Sequence, residues 1–122
     1  GWFWPEFEEN VERYGVADKV VPIRGRFQTT LEFVNLSAFD VLHYDADHDE
    51  QPTEAALSAF LGRARADAVL LVHACNYPAV WAIVDEASAT SGRPFHLVDR
   101  LGVLLPNTRN ATRRFVDLLG AE

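Results

Sequence analysis

At 122 residues, with 48% hydrophobic and 24% charged side chains, the chain has room for one domain with a real core and the composition of an ordinary globular protein, not of a disordered chain or a fibre. A formal net charge of −7 argues against an extended nucleic-acid surface, which needs clustered Lys and Arg, and makes a small or weakly charged substrate the easier partner. No apolar run approaches the roughly 20 residues that a membrane span needs, and the lone Cys75 cannot form an internal disulfide, which suits a reducing cytoplasm.

The pattern along the chain alternates between helical and extended periods. Pro5 to Tyr14 carries Phe7, Val11 and Tyr14 on one face, acids in its first turn and Gly15 as a stop, which predicts a helix. Lys19 to Arg24 is a short β-rich run that should lie at an edge or end at Pro22, because proline cannot donate to a ladder. Thr29 to Leu36 reads as one or two helical turns packing Leu31 and Val34. Phe39 to Tyr44 suits a strand buried on both faces. A helix then starts at Gln51-Pro52-Thr53-Glu54, with Ala56, Leu57, Phe60, Leu61 and Ala64 as its apolar face. Ala68 to His73 is a second buried strand. Pro78 to Ser91 is a helix turning Val80, Trp81, Val84 and Ala87 inward, ended by Gly92 and Pro94. Phe95 to Val98 and Gly102 to Leu105 make two short strands, and Thr108 to Leu119 a final amphipathic helix. Such alternation predicts one layered α/β domain over residues 1–122, mostly parallel with one antiparallel closing strand, because parallel strands need crossovers and helices supply them.

Chemistry is expected where the strand Phe39 to Tyr44 stops in Asp45, Asp47 and His48, since ligands of open α/β sheets collect outside the carboxyl ends of strands. Asp45 and Asp47 offer hard oxygen ligands suited to Mg²⁺, and Asn76 adds a neutral oxygen from the neighbouring strand end. Acids at such a junction also cap the next helix or simply meet water, and that reading is the simpler one for Asp47, Asp49 and Glu50. His43 and His73 fall within runs that look buried, where a histidine bonded to backbone is commoner than a catalyst. Cys75 reads as a small apolar packer. The aromatics Trp2, Phe3 and Trp4 at one end need cover, from a further part of a longer domain or from a partner chain.

The order of these segments resembles the class I methyltransferases that use S-adenosylmethionine, in the branch with an HxDxxH segment. LHYDADHDE is similar to that branch's fourth strand and loop, VLLVHACN to its fifth strand, PAVWAIVDE to the following helix, HLVDRLGVL to its closing hairpin, and ENVERYGVADKVVPIRG to the helix and third strand before. The resemblance implies a Rossmann-like sheet and transfer of a methyl group from S-adenosylmethionine to a hydroxyl of a small molecule. It further implies Asp45 as the residue at the cofactor and metal, and His48 as the base that removes the hydroxyl proton. Mg²⁺ would lower the pKa of that hydroxyl.

The chain also departs from that pattern. No glycine-rich turn precedes the first helix, Arg26 stands after Gly25 where an acid is expected, and Ala74 follows His73 where the resembling branch has a second acid. The expectation is therefore a methyltransferase-like domain whose N-terminal strands and glycine-rich part lie outside this chain. The alternative is a degenerate, non-catalytic domain kept for binding or assembly. Without those strands the third and fourth would pair directly or expose edges, and the exposed edge predicts a homodimer.

Overall fold

The computed structural model describes residues 4–46 and 49–107. Within them the chain forms a four-stranded sheet and four α-helices, a mixed α/β fold. The strands are β1 (Val41–Tyr44), β2 (Val69–Val72), β3 (Phe95–Val98) and β4 (Leu101–Leu104), in the spatial order β1-β2-β4-β3. β1 and β2 are parallel, and β4 lies antiparallel to both β2 and β3. Three strands thus run one way and β4 the other, so the expected closing antiparallel strand is present while only one ladder is parallel. The predicted final helix, Thr108 to Leu119, lies outside the described residues.

The crossovers set the layers. α3 (Glu50–Arg63) joins β1 to β2 and α4 (Pro78–Ser91) joins β2 to β3. In α4 the buried residues are Val80, Ile83, Val84 and Ala87, a repeat of three and four that makes one continuous stripe. Full burial of each larger aliphatic side chain in it is worth about 1.5–3 kcal/mol. That stripe meets Ala56, Leu57 and Phe60 of α3 and, beneath them, Leu42, Leu70 and Leu104 of the sheet. Trp81, expected to face inward, is one residue off the stripe and 44% exposed. Gly92 ends α4 in the left-handed region (φ 75°), where a Cβ would also strike the Asn107 side chain at 2.8 Å.

The sheet is covered unevenly. Leu42 and Tyr44 are buried under the helices, whereas Val41 is 50% exposed and His43 is exposed on the opposite face. The expectation of a strand buried on both faces is corrected, because among the described residues α3 and α4 pack on one face only. The outer edge of β1 is likewise open among them.

The segment from Lys19 to Arg24 is a second correction. It is not a strand: among the described residues no ladder pairs it, and Val21 is 85% exposed. Its β-rich composition has no neighbour among them to bond, and Pro22 removes one donor in any case. Helical turns at Phe27–Thr30 (α2), Leu31–Phe33 and Leu36–Ala38 follow, bringing Leu31 and Val34 against the core as expected. Arg63 fastens this stretch to the end of α3 by donating to the carbonyls of Leu31 and Val34. α1 (Trp4–Arg13) buries no side chain; Trp4 stacks on Phe7 at 5.5 Å, and the Arg24 guanidinium lies 4.5 Å from the Trp4 ring centre. Trp4 is therefore covered from within the chain, while Trp2 and Phe3 lie outside the described residues.

Candidate functional site

The parallel register places Tyr44 beside Val72, so the residues that follow, Asp45 and His73, leave the sheet together at its carboxyl edge. The His73 amide donates to the Tyr44 carbonyl at 3.0 Å and fixes the two strand ends. Above that bond His73 Nε2 lies 3.8 Å from Asp45 Oδ1, too long for a direct hydrogen bond but close enough for an ion pair or a shared proton, water or cation. Both side chains are about half exposed. His73 was expected within a buried run; β2 stops at Val72, and the ring lies at the rim instead. His43, expected to be buried as well, is exposed on the far face of the sheet. The signal that could have found His73 is positional: it and Asp45 each directly follow a β-rich run, VLLV and VLHY.

Beyond His73 the backbone turns sharply. Ala74 takes φ 60°, a left-handed conformation unusual for a residue with a Cβ. The turn is held by the Cys75 amide donating to the Arg100 carbonyl at 2.8 Å and the Tyr77 amide donating to that of Ala74 at 3.1 Å. Asn76 is exposed on this turn, just before α4 begins at Pro78. Cys75 is fully buried beneath it, and burial pushes its thiol up to about 11, which makes it the packing residue expected and not a nucleophile.

On the other side of Asp45 a shallow cavity of about 430 Å³ is lined by Gly25, Arg26, Phe27, Gln28 and Ala46. Phe27, one of the lining residues, meets Tyr44 edge to face at 5.4 Å. This volume has room for a heterocyclic ring with a sugar, held by an aromatic wall, an amide and a guanidinium. Among the described residues no carboxylate lines it.

Of the site residues read from the sequence, Asp45 is at the strand end as expected and Asn76 on the adjoining turn, while Asp47 and His48 lie outside the described residues. Among the described residues no group of three or more His, Cys, Asp or Glu side chains is placed to hold a metal ion. Nor is any helix among them long and apolar enough to cross a membrane.

Comparison with curated proteins and with solved structures finds no match. The model of one family, described as a methyltransferase domain, matches residues 2–75, which is more than half of the chain and takes in β1, β2 and the turn from His73 to Cys75. The chain belongs to that methyltransferase domain family.

Proposed function

We propose that this domain serves methyl transfer from S-adenosylmethionine to a hydroxyl of a small molecule, on a Rossmann-like sheet whose carboxyl edge carries the reaction. The observation that supports this most directly is the meeting of Asp45 and His73 at the ends of the parallel strands, in a chain of the methyltransferase family. The bound donor supplies an electrophilic methyl group. The chain's own part is to hold the acceptor and take its proton as the new C–O bond forms, and an imidazole at these strand ends suits that task. The resemblance of the DADH segment gives the base role to His48 and a ligand role to Asp45, with Asp47 and Asn76 as further oxygen donors if Mg²⁺ takes part. Phe27 and Gln28 would hold the adenine end of the donor in the cavity beside Ala46. In the same reading the protein works in the cytoplasm and two copies pair across the open edge of β1.

A second reading, a domain that binds or assembles without catalysis, is favoured by Ala74 in place of an acid and by Arg26 in the cavity. Calorimetric titration with S-adenosylmethionine and S-adenosylhomocysteine, of this chain and of a longer one that carries the sequence preceding Gly1, separates the two. The enzyme reading expects binding that Phe27→Ala weakens at least tenfold, and the absence of binding by both chains sinks it.

A further inference from the structure

The edge of the sheet farthest from Asp45 carries a second surface. β3 is the outermost strand there, paired only with β4 among the described residues. The Leu105 amide donates to the Pro94 carbonyl at 2.9 Å, in register with Phe95 opposite Leu104. Antiparallel ladders alternate bonded and non-bonded pairs, so His96 and Val98 turn their backbone groups toward β4. Phe95 and Leu97 then aim their N–H and C=O groups outward, as an open template for another strand.

The same two residues line a groove of about 380 Å³ between β3 and α4, closed on the helix side by Trp81, Asp85 and Ser88. Trp81, Asp85 and Ser88 follow one another at intervals of four and three and so share one face of α4. The Trp81 and Phe95 rings meet at a tilt of 48° with centres 6.0 Å apart, leaving Trp81 44% and Leu97 50% exposed. No cation pairs with Asp85 among the described residues. Among the described residues an open strand edge thus lies beside an aromatic groove whose carboxylate no cation pairs.

We infer that this edge binds an extended, basic peptide segment of a partner protein by strand addition to β3, with an Arg or Lys side chain entering the groove between Trp81 and Asp85. Backbone bonds to Phe95 and Leu97 supply register, and every second side chain of the added strand points over the α4 face. A guanidinium or ammonium there meets the Trp81 ring by cation–π attraction and the Asp85 carboxylate by charge. The net charge of −7 favours a basic partner over a second copy, which would set Asp85 against its own counterpart. This inference stands apart from methyl transfer, since the groove shares no residue with the Asp45 site.

The test uses a capped eight-residue peptide of alternating Thr and Val with one central Arg, titrated into the ¹⁵N-labelled chain. Binding is expected to shift the amides of Phe95 and Leu97 and the Trp81 indole, and to weaken at least tenfold with citrulline in place of Arg, with alternate amides N-methylated, or in Asp85→Asn. Trp81→Leu keeps an apolar wall and should weaken the Arg peptide but not the citrulline one. Equal affinity for the Arg and citrulline peptides, shifts at β1 instead of β3, no binding at millimolar peptide, or β3 shifts that follow protein concentration without peptide would each overturn it.

Discussion

The Cys75 sulfur lies 2.7 Å from the point that a Cβ on Gly102 would occupy, and its own Cβ lies 3.2 Å from it. Gly102 is thus the gap in β4 through which the turn after His73 sits down on the sheet. A methyl group there must push Cys75 up, and with it the turn whose amide is held by the Arg100 carbonyl. Gly102→Ala is expected to cost about 1–3 kcal/mol by overpacking. Cys75→Ala in the same chain should recover most of it, because the displaced sulfur is gone. Denaturation midpoints of the two single variants and the double variant check this, and additive losses would refute the contact.

The same thiol predicts a pH dependence. Burial raises the folded-state pKa of Cys75 from its ordinary value of 9.0 to about 11. Below pH 9 both folded and unfolded chains hold the proton and stability is unaffected. Between pH 9 and 11 the unfolded chain gives it up first, so stability falls with rising pH, by about 1.4 kcal/mol per unit at most, and levels off above 11. Unfolding titrations of the native chain and Cys75→Ala across that window should diverge by no more than about 3 kcal/mol. Alkylation of the folded protein at pH 8 should be far slower than that of the denatured chain.

Arg93 is 7% exposed and donates to the carbonyls of Ala68 at 2.5 Å, Arg65 at 2.9 Å and Ala66 at 3.3 Å. Burial lowers its pKa, but a guanidinium remains charged throughout the working range. It clamps the start of β3 to the turn that leads into β2, so its removal leaves carbonyls without a donor. Arg93→Met should cost about 2–4 kcal/mol, and Arg93→Lys most of that, since an ammonium cannot reproduce a planar fork. Thermal and urea denaturation measure both.

At the site the expectation reverses. Asp45 and His73 are half exposed and 3.8 Å apart, so their pairing is worth no more than about 1 kcal/mol to the fold. Asp45→Asn and His73→Gln should leave the urea midpoint nearly unchanged while lowering methyl transfer, or divalent-cation binding where no acceptor is in hand, at least tenfold. A variant that loses stability and function together would assign the pair to structure.

How far these features were legible differs by element. α4 could be bounded from the sequence because Pro78 and Gly92 punctuate it chemically, and β3 and β4 because they flank a tight turn. The Lys19 to Arg24 run misled because β-propensity measures fit to a sheet, and no neighbour among the described residues supplies one. Val41 and Trp81 misled for a related reason: an apolar residue signals burial only where a second element covers it, and sequence periodicity does not say on which face that element lies. His73 hid behind an apolar run that ends one residue sooner than its composition suggests. Asp45 was legible because a carboxylate at the end of a buried run is placed by topology.

Ala74 offers the sharpest test of what the site has lost or never needed. Its φ of 60° is a conformation that Asp and Asn adopt more readily than other residues with a side chain, so the backbone accepts either, while burial of Ala74 sets a cost of about 1–3 kcal/mol for the added polar atoms that both substitutions share. Ala74→Asp then sets a carboxylate beside His73, where the resembling methyltransferases carry an acid, and would join Asp45 in a set that a divalent cation favours. The expected result is Mn²⁺ binding at least tenfold tighter than in the native chain, read by water-proton relaxation. Ala74→Asn, equal in shape but without the charge, should not show it, and Asp45→Asn added to Ala74→Asp should abolish it. Equal Mn²⁺ affinity in the Asp and Asn variants would mean that the turn after β2 does not face a metal position, and would leave the proposed reaction to depend on Asp45 and its neighbouring histidines alone.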